Sequence, residues 1–278
     1  MTMSTPIVLF PTDLSGEVGD AFAQALRIAL GMKGALEILH ITTDDATPNW
    51  AAQPTVRETL VRWKVLPDDA TVDAFHALGL QVKVNGRRAE SPVDGVLAEL
   101  AAVPADLVVM ATHARHGLER VTQGSVSEAI ARKSGRTTLF APIGASSLVV
   151  PADGRVQLQH VLIPMDAGGV APQAIAGLER LASAVGVERL HVHLLFVGKR
   201  EELPDTALGQ TERWSWSTEV RESNDLAAAI NDAAVANSCD LIVMVTHGHD
   251  SLGDALFGST TERVLRYAKV PVLSIPVG

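Results

Sequence analysis

DLVVMATHARHGLERVTQGSVSEAI, residues 106–130, and DLIVMVTHGHDSLGDALFGSTTERV, residues 240–264, stay in register along their whole length. Both read Asp-Leu, a Val-Met pair, Thr-His, and then Gly-Ser ten residues beyond the position after the histidine. In each, an unbroken apolar run enters a glycine-bearing loop and a helical pattern leaves it. An unbroken apolar run suits a strand buried on both faces, as in a parallel sheet.

The likeness extends outward in order. IVLFPTDLS (7–15) and VLIPMDAGG (161–169) share an apolar strand, Pro, one residue, Asp and small residues. RTTLFAPIG (136–144) and KVPVLSIPVG (269–278) close the two halves alike. Ordered matches this far apart mark an internal repeat, two copies of one module of about 140 residues. The expected division is 1–145 and 160–278, joined by 146–159. There Asp153-Gly154, between LVV and RVQLQ, signals a β-hairpin.

Within the first half, strands are expected at 7–10, 36–41, 80–84, 107–110 and 138–140, and helices at 15–32, 93–102 and 125–132. An insert at 44–79 carries helical patterns around 56–63 and 71–78. The second half repeats the series with a shorter middle, 199–215, before a strand at 216–221. Apolar strands separated by helices predict an α/β fold, two open parallel sheets covered on both faces.

Composition narrows the function. Of 278 residues, 47% are hydrophobic and 20% charged, enough for packed cores. The net charge of −9 opposes the clustered basic face that nucleic acids require. It does not oppose a small anion held by backbone N–H groups. Cys239 is the only cysteine, so no intrachain disulfide forms, as suits the cytoplasm. MTMSTPIVLF lacks a basic leader, and no apolar run is long enough to span a bilayer. A cytoplasmic chain without nucleic-acid or membrane partners is expected.

In open parallel sheets, ligands bind beyond the carboxyl ends of strands where strand order reverses. Two loops in each half stand at such ends: Pro11-Thr-Asp13 and Pro164-Met-Asp166 after the first strand, and the long loop after the fourth. Were those strands neighbours, the loops would line one cleft. The carboxylate would accept hydrogen bonds from ligand hydroxyl or amino groups. Gly258-Ser259-Thr260, at a helix start, would offer N–H groups to a phosphate. The same residues serve equally well as ordinary N-caps.

Other candidates are bland on spacing alone. His113 and His247 recur at matching points and suit one shared structural job. His191 and His193 share a strand face, with no further metal ligands evident. Trp214 and Trp216 suit packing, and Asp44-Asp45 and Asp68-Asp69 suit turns and caps. Arg87-Arg88 reads as a solvated loop or an anion contact. The chain has no G-x-x-x-x-G-K-[ST], no G-x-G-x-x-G and no G-x-S-x-G. Fast phosphoryl transfer has no visible machinery.

Over essentially its full length the chain resembles the universal stress protein family, as a tandem pair of the family's domain. The family's loop runs Gly, two residues, Gly, nine residues, Gly, then Ser or Thr. The second half gives Val245-Thr-His-Gly248, nine residues, Gly258-Ser259, and the first gives Ala111-Thr-His-Ala114, nine residues, Gly124-Ser125. The Pro-x-Asp turn and the Pro271-Val-Leu273 closing strand match as well.

The resemblance implies five parallel strands in the order 3-2-1-4-5, an adenine nucleotide alpha hydrolase-like sheet, and a pseudo-dimer formed through the last strands. It also implies that ATP, with Mg2+ as its companion, is the cofactor to expect. The implied nucleotide neighbours are Asp166, Met244, Val245, Gly248, Gly258, Ser259 and Thr260 in the second half. In the first they are Asp13, Met110, Gly124, Ser125 and Val126.

Val245 replaces one motif glycine, and Ala111 and Ala114 replace two. A Cβ where positive φ is needed costs about 1–2 kcal/mol. The second half is therefore expected to bind better. The leading expectation is a stress-response protein that binds an adenine nucleotide without fast turnover, meets an unidentified protein partner and pairs as a homodimer of tandem chains. The alternative is an interaction scaffold with decayed nucleotide sites.

Overall fold

A computed structural model describes residues 5–44, 47–112, 126–205, 213–247 and 255–277. The first half runs β1 (Ile7–Thr12), α1 (Gly19–Gly31), β2 (Ala35–Thr42), α2 (Val56–Arg62), α3 (Val72–Ala77), β3 (Gln81–Arg88), α4 (Pro92–Ala102), β4 (Leu107–Thr112), α5 (Val126–Ser134) and β5 (Thr138–Pro142). The second runs β6 (His160–Met165), α6 (Pro172–Val185), β7 (Leu190–Val197), β8 (Trp214–Arg221), α7 (Leu226–Ala236), β9 (Leu241–His247), α8 (Ala255–Tyr267) and β10 (Val272–Val277).

These strands form one sheet in the order β3-β2-β1-β4-β5-β10-β9-β6-β7-β8. Each half thus carries the expected order 3-2-1-4-5. The halves join where β5 and β10 pair antiparallel, Val272 opposite Phe140 and Ser274 opposite Thr138. All other strand pairs are parallel. The carboxyl edges of the two halves therefore point in opposite directions along the strands.

Two apolar layers cover the sheet. One gathers Val8, Phe10 and Leu36 with α1, α2 and α6, and its Phe10 and Phe22 rings lie 5.9 Å apart. The other gathers Leu9, Val108 and Leu162 with α4, α7 and α8. Phe22 is 1% exposed, and burying such a side chain contributes about 1.5–3 kcal/mol.

The repeated Asp-Leu now has a physical reason. Asp106 Oδ2 accepts from Ile7 N at 2.8 Å, and Asp240 Oδ2 accepts from Gln159 N and His160 N at 2.7 and 2.9 Å. In each half this carboxylate pins the entry of the first strand beside the fourth. Threonine or serine N-caps start the insert helices and α4: Thr55, Thr71 and Ser91 accept from Glu58, Ala74 and Asp94 amides at 3.1–3.2 Å.

Between the halves, Val149 and Val156 bridge antiparallel and Gly154 turns with φ 74°. Trp63 lies over that turn, and its Nε1 donates to Pro151 O at 2.9 Å. Helices α1 and α6 also meet across the halves. A Cβ on Gly31 would fall 1.6 Å from the Ala184 carbonyl oxygen. Backbone leaves no room to yield, so Gly31→Ala is expected to cost about 2 kcal/mol or more in urea denaturation. Gly16→Ala, at a site with nothing within 4 Å, is the control and should unfold close to the parent.

Candidate functional site at the carboxyl edges of the sheet

Strand order settles which loops are neighbours. β1 pairs with β4 and β6 with β9, so the Asp13 turn borders the end of β4 and the Asp166 turn the end of β9. Asp13 Oδ1 accepts from Ser15 N at 2.8 Å, and Asp166 Oδ1 from Gly168 N at 2.7 Å. Each carboxylate is exposed and tied back to its own turn through one oxygen, which fixes its direction. A Cβ on Gly168 would sit 3.1 Å from Asp166 Oδ1, so a small residue suits the second turn.

The fourth strands bring other residues to the same edge. Met110 and Met244 are 5% and 3% exposed and pack into the core under α4 and α7, so their side chains serve packing. Val245 is half-buried against the opposite layer. Helix α5 begins at Val126, immediately after Gly124-Ser125, which with Gly248 and His113 lie outside the described residues.

The second half departs from expectation. α8 begins at Ala255, so Gly258, Ser259 and Thr260 lie inside the helix rather than at its start. Ala255 and Leu256 are strong helix formers and carry the helix one turn upstream. The amides without an intrahelical partner are those at the very start of a helix. The free backbone donors at this helix start accordingly lie upstream of Gly258-Ser259. Arg87 and Arg88 also differ from the loop reading, since β3 runs through both. Arg87 Nη1 donates to Glu99 Oε2 at 2.8 Å rather than facing a ligand.

The insert brings residues that spacing did not reveal. Gln53 is 7% exposed, and its Oε1 accepts from Thr12 Oγ1 at 2.9 Å. Trp50 meets His40 edge-on, ring centroids 5.9 Å apart, while His40 Nδ1 donates to Thr12 O at 2.9 Å. Among the described residues, three polar atoms at this edge are buried without a partner: Gln53 Nε2, Ser15 Oγ and Thr112 Oγ1. An unpaired buried polar atom costs about 1–3 kcal/mol, so such a concentration is informative. By contrast, a cavity of about 700 Å³ lies at the amino edge, between the end of α6 and Trp214. It is an open gap lined by Glu179, Ser183, Glu188 and Arg213, at the sheet edge opposite the acidic turn of its own half.

A second polar cluster sits at the amino ends of β6, β7 and β8. His160 Nδ1 and His193 Nε2 share a hydrogen bond of 3.1 Å, and the His191 and His193 rings approach to 4.3 Å. Ser215 and Ser217 bond His191 at 2.7 and 3.0 Å, and Ser217 bonds His193 Nδ1 at 3.0 Å. The expectation for His191 and His193 lacked His160, which the register opposite His191 brings in. Among the described residues no group of three or more His, Cys, Asp or Glu is placed to hold a metal ion.

Burial, with His191 and His160 alongside, holds the His193 imidazolium below its ordinary pKa, opposed by Glu219. Burial pushes the Cys239 thiol up to about 12, leaving it inert at neutral pH. A histidine with a lowered folded pKa binds fewer protons folded than unfolded. Its contribution is complete above about pH 6.5 and is lost as pH falls below that toward the folded value. Urea denaturation is expected to give lower stability at pH 5.5 than at 7.5, and His193→Gln should flatten that difference. An unchanged slope in the variant would contradict it.

Similarity to known proteins agrees with this architecture. The model of the universal stress protein family matches residues 5–141 and again 153–276. Universal stress protein Rv2005c of Mycobacterium tuberculosis is 26% identical over 262 residues, 86% of each chain. Universal stress protein Slr1230 of Synechocystis is 28% identical over 172 residues, 55% of this chain and 58% of the other. The crystal structure of a universal stress protein from Archaeoglobus fulgidus superposes with a TM-score of 0.60 at 19% identity, over 99% of this chain and 100% of that one. The twice-matched family, the duplicated turn-and-loop edge and the mirrored sheet agree: the chain belongs to the universal stress protein family, with two family domains in tandem.

Proposed function

We propose that this chain is a regulatory binding protein taking an adenine nucleotide at its carboxyl-edge crevices, chiefly ATP in the 160–278 half, without fast turnover. The observation that carries it is the Asp166 turn, an exposed carboxylate held at the end of β6 beside β9. That carboxylate would accept from ribose hydroxyls, and the start of α8 would face the phosphates. Gly248, Gly258 and Ser259 of the family pattern are retained in this half. In the 1–145 half the same role falls to Asp13 with Gly124, Ser125 and Val126.

The donor set fits the nucleotide's chemistry, a carboxylate for hydroxyls and helix-start amides for anionic oxygens. Mg2+ would be held through the phosphates, because no protein cation site is formed among the described residues. ATP would bring its phosphate charge to the ends of β4 and β9, where a protein partner would read it. Slow turnover follows from the sequence, which places no lysine in the glycine loop.

Mass spectrometry of gently purified and then denatured protein should reveal co-purified adenine nucleotide. Ser259→Asp adds a negative charge in the second turn of α8, close enough to its start to repel phosphates held there. Calorimetry with MgATP is expected to lose at least tenfold in affinity at the second-half site, with the thermal melt unchanged. No co-purified nucleotide and no heat at millimolar MgATP would replace this proposal with a nucleotide-free interaction module. Val245, where the pattern has glycine, is the residue that favours that second reading.

A further inference from the structure

The ten-stranded sheet ends in β3 on one side and β8 on the other, and the two ends are built differently. β3 carries Lys83, Arg87 and Arg88 along its eight residues. Charged edge residues, lysine above all, deter a further strand from pairing. β8 is equally long and reads Trp-Ser-Trp-Ser-Thr over 214–218 without a charge. Its Glu219 and Arg221 are paired with each other, and Glu219 Oε2 also accepts from Asn237 Nδ2 at 2.9 Å. No proline or glycine interrupts it. The usual guards of an edge strand are present at β3 and missing along most of β8.

One hydrogen bond shows which groups β8 leaves free. Gly198 N donates to Arg221 O at 2.9 Å, so Arg221 turns its backbone polar groups toward β7. Successive residues alternate in this respect. Ser215, Ser217 and Glu219 therefore also turn inward, while Trp214, Trp216, Thr218 and Val220 turn their N–H and C=O groups outward. Among the described residues no strand takes these up. The inner side is clasped as well as laddered: Ser215 Oγ bonds His191 Nδ1 at 2.7 Å, and Ser217 Oγ bonds His193 Nδ1 at 3.0 Å. The outward row is thus held in place before any partner arrives, which lowers the cost of pairing.

We propose that β8 is a dimer interface, where two copies of the chain pair antiparallel about a two-fold axis and continue one sheet into the next. A two-fold axis normal to the sheet keeps each face on its own side, so the numbers of opposed residues differ by an even number. Centred on Thr218, the pairing sets Trp216 against the second copy's Val220 and Thr218 against itself. Each of these pairs exchanges two backbone hydrogen bonds through the outward groups. On the other face Ser217 meets Glu219 and Ser215 meets Arg221, so no like charges are opposed. Centring one residue earlier would set Arg213 against Arg221. The inference does not depend on what the carboxyl edges bind.

Sedimentation of the full chain at micromolar concentration should give twice the chain mass. Thr218→Pro removes an outward N–H and no bond of the chain's own ladder, so dimerisation should weaken at least tenfold with the thermal melt unchanged. Thr218→Lys, at an exposed site, opposes like charges at the axis and should act alike. Val84→Lys, at an exposed site on β3, should leave the dimer intact. Thr218→Cys gives a reading free of any folding loss. Opposed Cα atoms about 5.5 Å apart are within reach of a disulfide, so mild oxidation should join two copies through it. Cysteine at Val84 should leave them unjoined. A monomeric parent would overturn the inference and leave β8 to an extended segment of another protein. A dimer that survives both Thr218 substitutions, that Val84→Lys dissociates equally, or that Thr218→Cys does not crosslink would overturn it too.

Discussion

The pairing of each half's first strand with its fourth is the constraint on which the rest depends. β1 lies between β2 and β4, and β6 between β7 and β9, so two loops far apart in sequence border one another. Asp106 and Asp240 secure that pairing at the amino end by accepting the entering amides. Were this register to slip by one residue, every side chain on the slipped strand would change face. The acidic turns would then no longer border the ends of β4 and β9.

A second junction makes one molecule of two repeats. The antiparallel pairing of β5 with β10 continues the sheet, while α1 and α6 approach so closely that Gly31 has no room for a methyl group. Arg132 and Glu262 add an ion pair at 2.9 Å between α5 and α8. Both are partly exposed, so it contributes at most about 1 kcal/mol, and orientation rather than strength is its role. The insert ties into this frame too. Gln53 reaches the end of β1 at one end, and Trp63 rests on the hairpin between the halves at the other. The first crevice and the inter-repeat hairpin are thus in contact with one short segment.

Divergence between the repeats is concentrated in polar layers while the apolar ones are kept. On one face near the β2–β3 edge, Lys83 Nζ bonds Glu37 at 2.8 Å, and Arg87 bonds Glu99. By register, Glu37 and Lys83 correspond to His193 and Ser217 in the second half. A network of permanent charges in one copy is matched by titratable imidazoles in the other. The cores under them need only volume and apolarity, which is why Val-Met survives in both copies, while the aspartate of Asp-Leu is kept for its strand-entry hydrogen bonds.

Much of this was legible in the sequence, and what was not has identifiable causes. Unbroken apolar runs and the ordered repeat carried strand number, because buried parallel strands leave a strong signal, while strand order came from the family resemblance. The start of α8 was misplaced because Gly258-Ser259-Thr260 looks like a helix entrance, while Ala255-Leu256 already favours helix. β8 begins at Trp214 rather than Trp216, since alternating Trp and Ser suits an edge strand whose first residues read as loop. Gln53 and His160 were missed for a shared reason: each acquires its chemistry only from a neighbour distant in sequence, Thr12 for one and His191 with His193 for the other. No helix among the described residues is long and apolar enough to cross a bilayer. The measurement that goes straight to the central claim is a crystal structure of the chain grown with MgATP. Density for ribose beside Asp166 with phosphates toward the start of α8 is the result expected, and nucleotide density at the amino edge, between the end of α6 and Trp214, would contradict it.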